Sequence, residues 1–220
     1  MIAGFFLYLL QLLSFLLLSF LIFPALLQLI SIFKKKKTPQ KSNDSPKVAI
    51  IVTAYKKTNS LHSFLENIEF QNYSAYKTFI VADRCKKKQE VDSNKIQWLF
   101  PEYPLDSKIK SIEYAIQNGA DQYEWLLILD PDNFLENNFL NEIINYTKRE
   151  NKVIQGNRWP KNLDTPTACL DALGEFYRNQ MDRAIPQKLG IASTIAGSGF
   201  LVNTSFYKSF VSELKLIQRI

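Results

Sequence analysis

The chain begins with an uninterrupted apolar stretch. From Ile2 to Phe33 no residue is charged, and the only polar side chains are Gln11, Gln28, three serines and Tyr8. At a 1.5 Å rise per residue, about 20 residues cross a hydrocarbon core, so one transmembrane helix is predicted, with a turn or more to spare for tilt or a kink near Pro24. A cleaved leader fits poorly, because no Lys or Arg precedes the apolar stretch and it outruns a typical leader core. From Lys47 onward the pattern becomes an alternation of short apolar runs with helical repeats. Val48 to Thr53, Lys77 to Ala82, Lys95 to Phe100 and Trp125 to Leu129 read as strands. Between them, Asn59 to Phe70 carries Leu61, Phe64, Leu65 and Ile68 at helical spacing behind an Asn59 or Ser60 cap, and Ser107 to Asn118 is a second helix stopped by Gly119. Phe134 to Arg149 is predicted as the next helix. The run Trp125 to Leu129 is apolar on both faces, and strands alternate with helices, which predicts an α/β fold with a mostly parallel sheet flanked by helices. Val153 to Trp159 then reads as a strand, Thr167 to Ala184 as an amphipathic helix, and Ile191 to Val202 as a glycine-broken turn and strand. This second half is expected to elaborate the sheet and cover a second substrate.

Charge changes the picture at one place. Residues 34 to 47 hold six Lys and one Asp, a net +5 out of the chain's +6. The Lys34 to Lys37 cluster directly after the span predicts a single-pass protein in the inner (plasma) membrane with everything downstream in the cytoplasm. The expected organisation is therefore a transmembrane anchor over 1–33, a basic juxtamembrane linker over 34–46 and one domain over 47–220. With the remainder nearly neutral, the basic balance serves orientation and contact with anionic lipid, and a nucleic-acid partner is excluded. Cys85 and Cys169 are too few for a disulfide framework and lack metal-ligand spacing, which suits a reducing compartment. The only histidine, His62, falls on a helix face and is given no role.

Candidate chemistry sits where strands end, because in a parallel sheet the carboxyl ends lie along one edge where ligands bind. Thr53-Ala54-Tyr55 follows the first strand, Asp83 the second, and Asp130-Pro131-Asp132 the run Trp125 to Leu129. Asp130 and Asp132 are hard oxygen ligands suited to Mg²⁺ or Mn²⁺ shared with substrate phosphates; the same three residues also make a turn in which Pro131 fixes φ and an Asp caps the next helix. Asp83 can accept from a base N–H or a ribose hydroxyl, or Asp83-Arg84 can be an exposed turn. No G-x-G-x-x-G follows the first strand and no G-x-x-x-x-G-K-[ST] occurs, so phosphate must be held otherwise, by a metal and by Lys108 near a helix start. Ala196-Gly197-Ser198-Gly199-Phe200 lets a backbone approach a ligand or makes a tight turn into a strand. Trp159, Phe176, Tyr177 and Phe200 can stack on sugar rings or fill a core.

In their order, Val48 to Tyr55, Val81-Ala82-Asp83, Lys108 with Ala115 to Gly119, Leu129-Asp130-Pro131-Asp132 and Gly197-Ser198-Gly199-Phe200 resemble the landmarks of family 2 glycosyltransferases with a GT-A fold, over roughly residues 47 to 205. The V-A-D-x-C variant with a preceding membrane helix is similar to the bacterial membrane-attached branch of extracellular or capsular polysaccharide synthases. The resemblance implies a nucleotide-binding sheet and a donor of the UDP-sugar class, with Ala54 and Tyr55 lining the base, Asp83 bonding base or ribose, and Lys108 near the nucleotide. It implies Asp130 and Asp132 at the diphosphate, Asp132 being the more direct ligand of Mn²⁺ or Mg²⁺, and Gly197, Ser198, Gly199 and Phe200 on the donor-sugar and acceptor side. The implied activity is inverting transfer from a nucleotide-sugar to the hydroxyl of a glycan or lipid-linked acceptor.

The family places a carboxylate base in an acidic pair beyond the glycine strand, followed by a Q-x-x-R-W element. Here Glu213 is the only acidic residue after Gly199. The expectation is an incomplete domain, a fragment or truncated product, with Glu213 the remaining base candidate and a C-terminal partner polypeptide as a further expectation. The alternative is a catalytically inactive nucleotide-sugar-binding fragment or regulatory partner lacking the base. A nucleotidyltransferase ranks below both, because Thr53 to Thr58 contains no glycine.

Overall fold

The computed structural model describes residues 2–34, 45–56, 61–86, 93–147 and 151–217. Most of the basic linker, Lys35 to Asp44, and the expected Asn59 or Ser60 cap lie outside these residues. Two compact units are present, one holding residues 1–38 and 158–194, the other 39–157 and 195–220.

In the second unit, β1 (Val48–Tyr55), β2 (Tyr76–Asp83), β3 (Ile96–Leu99), β4 (Trp125–Leu129), β5 (Val153–Gln155) and β6 (Phe200–Asn203) form one sheet in the order β3-β2-β1-β4-β6-β5. The first four strands are parallel, as the alternation predicts; β6 runs antiparallel to β4, and β5 antiparallel to β6. Successive residues of each central strand feed opposite faces. Ile50, Val52, Leu127 and Leu129 pack with α2 (Leu61–Glu69) and α4 (Phe139–Ile144), while Ala49, Ile51, Leu126 and Ile128 pack with α3 (Lys108–Gln117) and α7 (Thr204–Ile217). Both faces are therefore covered, which is why Val48 to Val52 and Trp125 to Leu129 are apolar at every position.

Register creates the useful edge. Val52 pairs with Leu129, so β1 continues through Thr53, Ala54 and Tyr55 beyond the end of β4, and Tyr55 is level with Asp83 of β2. Gly119 closes α3 in the left-handed region at φ 111° before a 3-10 turn, as a helix-stopping glycine should.

Besides the strand expected to Trp159, which ends at Gln155, and the helix expected to Ala184, which turns π-helical after Arg178, two elements differ from expectation. The helix expected from Phe134 begins at Phe139 and ends at Ile144, because the backbone before it is held elsewhere. Leu135 exchanges two bonds with the amide of Asn67, its N–H donating to Oδ1 at 2.7 Å and its carbonyl accepting from Nδ2 at 2.9 Å. Gln71 donates to the Glu136 carbonyl at 2.8 Å and accepts from the Leu140 N–H at 3.2 Å. The second difference is α7, for which the sequence pattern gave no expectation; it buries Thr204, Tyr207 and Val211 against the sheet.

In the first unit, α1 (Ile2–Ile32) is one helix of 31 residues, about 46 Å long at 1.5 Å per residue. It is long and apolar enough to cross a membrane. With it stands α5 (Pro166–Arg178), whose cap Thr165 accepts from the Ala168 N–H at 3.1 Å and whose first position is a proline with no N–H to satisfy. A π-helical turn over Asn179–Ala184 leads into α6 (Ile185–Leu189), closed by Gly190 at φ 79°. Pro186 has no N–H to offer the carbonyl four residues back, and the N–H of Thr194 bonds that Asp182 carbonyl instead, at 3.0 Å.

Candidate functional site

The overhang of β1, the end of β2 and the N-terminus of α3 enclose a cleft of about 340 Å³. Thr53, Ala54, Tyr55 and Asp83 line one side; Asp106, Ser107, Lys108 and Ser111 line the other. Four residues singled out from the sequence, Ala54, Tyr55, Asp83 and Lys108, thus meet in one cavity.

Asp83 is only 2% exposed, and backbone N–H groups occupy both its oxygens: Leu105 donates to Oδ1 at 3.1 Å and Asp106 to Oδ2 at 2.8 Å. A buried carboxylate needs such donors. Here they also fix the loop that leads into α3. Each oxygen keeps further acceptor capacity, so this arrangement leaves Asp83 able to accept from a ligand as well. Asp106, which the sequence did not flag, closes the rim. Its backbone lies in the left-handed region at φ 48°, its Oδ1 accepts from the Tyr55 hydroxyl at 2.9 Å, and its Oδ2 accepts from Arg84 Nη2 at 2.5 Å. The Arg84 hydrogen bond, and then that of Tyr55, hold the Asp106 carboxyl below the usual carboxylate range. Arg84 is itself at φ 53°.

Next to this cleft, Lys108 Nζ is ion-paired with Asp130 Oδ1. Asn133 ties the D-P-D loop to the end of β4, its Oδ1 accepting from the Asp130 N–H and its own N–H donating to the Asp130 carbonyl, both at 3.0 Å. Asp132 is exposed, and its contact with Asn133 Nδ2 is long at 3.5 Å. Asp130 is therefore engaged, and Asp132 is the more available carboxylate. Among the described residues no three His, Cys, Asp or Glu side chains gather as a metal cage. Two carboxylates fit Mg²⁺ or Mn²⁺ when substrate phosphates and waters complete the shell, which is how these ions are commonly held.

The glycine segment reaches the same sheet edge through β6. The Gly199 N–H donates to the Ile128 carbonyl at 2.8 Å, and Gln155 clamps the turn by donating to the Ser198 and Gly199 carbonyls at 3.2 and 3.0 Å and accepting from Ala196 at 2.8 Å. Gly199 needs its φ of 73°. A Cβ at Gly197 would meet nothing within 4 Å, so its position is open rather than crowded. Ser198 is 1% exposed and its Oγ has no hydrogen-bond partner. None of Gly197, Ser198, Gly199 and Phe200 lines the cleft. Glu213 is exposed on α7 and does not line it either; the same helix carries Lys215, paired with Glu113 of α3 at 2.5 Å. Trp159 and Phe176 pack on each other in the first unit, with ring centres 5.5 Å apart, and His62 pairs with Glu66 on an exposed helix face.

A doubly covered sheet that gathers carboxylates, a lysine and a helix N-terminus at its carboxyl edge defines an α/β protein with its cleft where sheets of this class take ligands. The family model for "Glycosyltransferase like family 2" matches residues 46–218. The chain belongs to this family. The mannosyltransferase PcManGT from Pyrobaculum calidifontis, solved with GDP-Man and Mn²⁺, is similar at 14% identity and a TM-score of 0.52, over 64% of this chain and 44% of that one. TarS 1-349 of S. aureus is similar at 13% identity and a TM-score of 0.52, over 74% of this chain and 48% of that one. At these identities the likeness is one of fold, and the fold is of the GT-A type. The chain spans under half the length of these solved relatives. No curated protein matches it.

Proposed function

We propose that this chain carries the donor-binding core of an inverting glycosyltransferase that moves a sugar from a nucleotide-sugar, of the UDP-sugar class, to the hydroxyl of a glycan or lipid-linked acceptor in cell-surface polysaccharide synthesis. The observation that carries the reading is the convergence, at one sheet edge, of the cleft around Asp83 and Tyr55 with the Lys108–Asp130 pair and the exposed Asp132. Membership of the family supports sugar transfer, and the relative solved with GDP-Man and Mn²⁺ supports a nucleotide-sugar and a divalent metal. Ala54 and Tyr55 would line the base, and Asp83 would accept from base or ribose while it holds the 105–106 loop. Lys108 and the first amides of α3 would face the diphosphate. Asp132, with Asp130, would hold Mn²⁺ or Mg²⁺, which supplies positive charge where the leaving diphosphate becomes more negative. In the transfer, the acceptor oxygen bonds the anomeric carbon from the face opposite the diphosphate. The carbon–oxygen bond to the diphosphate breaks with its electron pair, and the acceptor proton passes to a base. The Gly197 to Phe200 turn would shape the sugar side.

A second reading, nucleotide-sugar binding without turnover, is favoured by one observation. Asp83, Asp106 and Asp130 are engaged by amides, Arg84 and Lys108 respectively, and Glu213 stands outside the cleft. With Asp132 on the metal, none of the carboxylates described at this edge is left unengaged to take the acceptor proton. Anchoring by α1, with the sheet unit in the cytoplasm, completes the proposal.

Calorimetry and a radiolabelled-donor assay on the full chain separate these readings. Asp132→Asn should abolish the Mn²⁺-dependent part of nucleoside diphosphate affinity and leave the metal-independent part. Transfer to an added acceptor that Glu213→Gln removes would make Glu213 the base; binding without transfer would favour the second reading. Unchanged affinity in Asp132→Asn would remove the metal assignment.

A further inference from the structure

Helix α5 is turned the wrong way round for a water-facing surface. Pro166, Leu170, Leu173 and Tyr177 recur at spacings of four, three and four, which puts them on one stripe. That stripe faces outward: Leu170 is 70% exposed, Leu173 65% and Tyr177 55%. The opposite face, Ala168, Ala172, Glu175 and Asn179, is the one its own unit covers, with Ala172 buried and the others half-buried. Polar groups fill that interior. Arg183, 8% exposed, donates to Glu175 Oε1 at 2.8 Å and also bonds Asn179 Oδ1, and Asn179 donates to the Arg158 carbonyl at 2.5 Å. Small and polar residues inside with leucine outside is the reverse of a solvated amphipathic helix, and an apolar stripe of this kind marks a surface meant to be covered.

The same unit indicates what covers it. It contains α1, and α6, continuous with α5 through the π-turn, packs on α1. Gln180 donates to Gln28 Oε1 at 2.9 Å, and on the α1 face that carries Pro24, Leu27 and Gln28, Ser31 is fully buried. Gln28 precedes Lys34 by six residues, about 9 Å along a helix, which is the depth of the boundary between acyl chains and headgroups if Lys34 marks the headgroup level. Trp159, 65% exposed and packed edge-on against Phe176, and Tyr177 are the amphipathic aromatics that favour that boundary.

We propose that α5 lies on the cytoplasmic lipid surface, its Leu170–Leu173–Tyr177 stripe sunk into the boundary beside α1. The proposal rests on reading α1 as a membrane span. The helix would be a second, in-plane attachment, with the bilayer taking up the stripe that water disfavours.

The test places an environment-sensitive fluorophore on single cysteines in a Cys85→Ser, Cys169→Ser background, with the full chain in vesicles of phosphatidylcholine and phosphatidylglycerol. Leu16→Cys reports α1, Leu173→Cys the stripe, and Glu66→Cys the sheet unit. The expected result is loss of Leu173→Cys fluorescence to a spin label carried near the headgroup, resistance of that probe to aqueous iodide, and iodide quenching at Glu66→Cys. Leu170→Cys repeats the measurement should the first variant fail to fold. A stripe open to iodide, or shielded from both quenchers as under a protein partner, overturns the proposal while Leu16→Cys remains quenched by a mid-bilayer label. Failure of that deep quenching overturns the span itself, and the in-plane helix with it.

Discussion

Both oxygens of Asp83 accept backbone N–H groups from the loop before α3, so removing this carboxylate acts on the protein before it acts on any ligand. Asp83→Ala leaves two donors at residues 105 and 106 without their partner. A buried donor left unsatisfied costs about 1–3 kcal/mol. For a domain of this size, each kcal/mol lowers the melting temperature by about 2–4 °C. Asp83→Ala should therefore melt measurably earlier and bind nucleoside more weakly with or without metal, whereas the exposed Asp132→Asn should melt within about 0.5 kcal/mol of the parent. Weakened nucleoside binding at an unchanged melting temperature would make Asp83 a ligand contact alone. Asp106 carries a pH prediction of definite sign. Arg84 and Tyr55 depress its carboxyl, so the latch they form is complete above the unfolded value near 4 and is lost as pH falls through the lower folded value. Nucleotide affinity titrated from pH 8 to 5 should show no step from this group, and an acid-limb loss below about pH 4 should disappear in Asp106→Asn. A step between pH 5 and 8 that the same substitution removes would contradict the latch.

At the scale of elements, three amide side chains near the end of α2 organise the chain that follows the D-P-D loop. Asn67 and Gln71 bond the backbone at 135, 136 and 140, Asn72 Nδ2 donates to Asn138 Oδ1 at 2.8 Å, and Asn141 Nδ2 donates to the Asn72 carbonyl at 2.6 Å. Gln71 is buried. Gln71→Leu should destabilise the fold by about 1–3 kcal/mol, seen as a shift in the denaturant midpoint, with faster amide exchange at Glu136 to Leu140. Unchanged exchange there would mean the ladder holds nothing. None of this could be read beforehand. Asn67 and Gln71 lie four apart and resemble a solvated helix face, because an amide side chain gives no sign of whether its partner is water or a backbone 65 residues away. The strands were legible for the opposite reason: Val48 to Val52 and Trp125 to Leu129 are apolar at every position, which only burial on both faces explains. Their ends delivered Asp83, Asp130 and Asp132 to one edge, as the parallel topology requires. Asp106 stayed hidden because it acts from a left-handed backbone position that Gly or Asn usually signals. Likewise, periodicity located α5 but could not tell that its apolar stripe faces outward.

Over the whole molecule, charge and hydropathy divide the labour between the two ends of the first 47 residues. The span from Ile2 to Phe33 carries no charge, and the Lys34 to Lys37 cluster that follows resists transfer across the bilayer. Pro46, where the linker meets the folded part, is fixed by the Tyr73 hydroxyl, which donates to its carbonyl at 2.5 Å. Burial, and then the charge of Glu124, push that phenol up to about 12, so it stays a donor through the neutral range. The intervening stretch from Lys34 to Pro46 is 13 residues long, at most about 45 Å if fully extended. A green fluorescent reporter fused after Ile220 should be bright, and an alkaline phosphatase fused at the same point inactive, since the first folds in the cytoplasm and the second needs the oxidising side. Replacing Lys34 to Lys37 together with Gln should yield a mixed population, with phosphatase activity rising, because the asymmetry that orients the span would be largely removed. High phosphatase activity from the unaltered chain would invert the topology and separate the cleft from the compartment in which nucleotide-sugars are made.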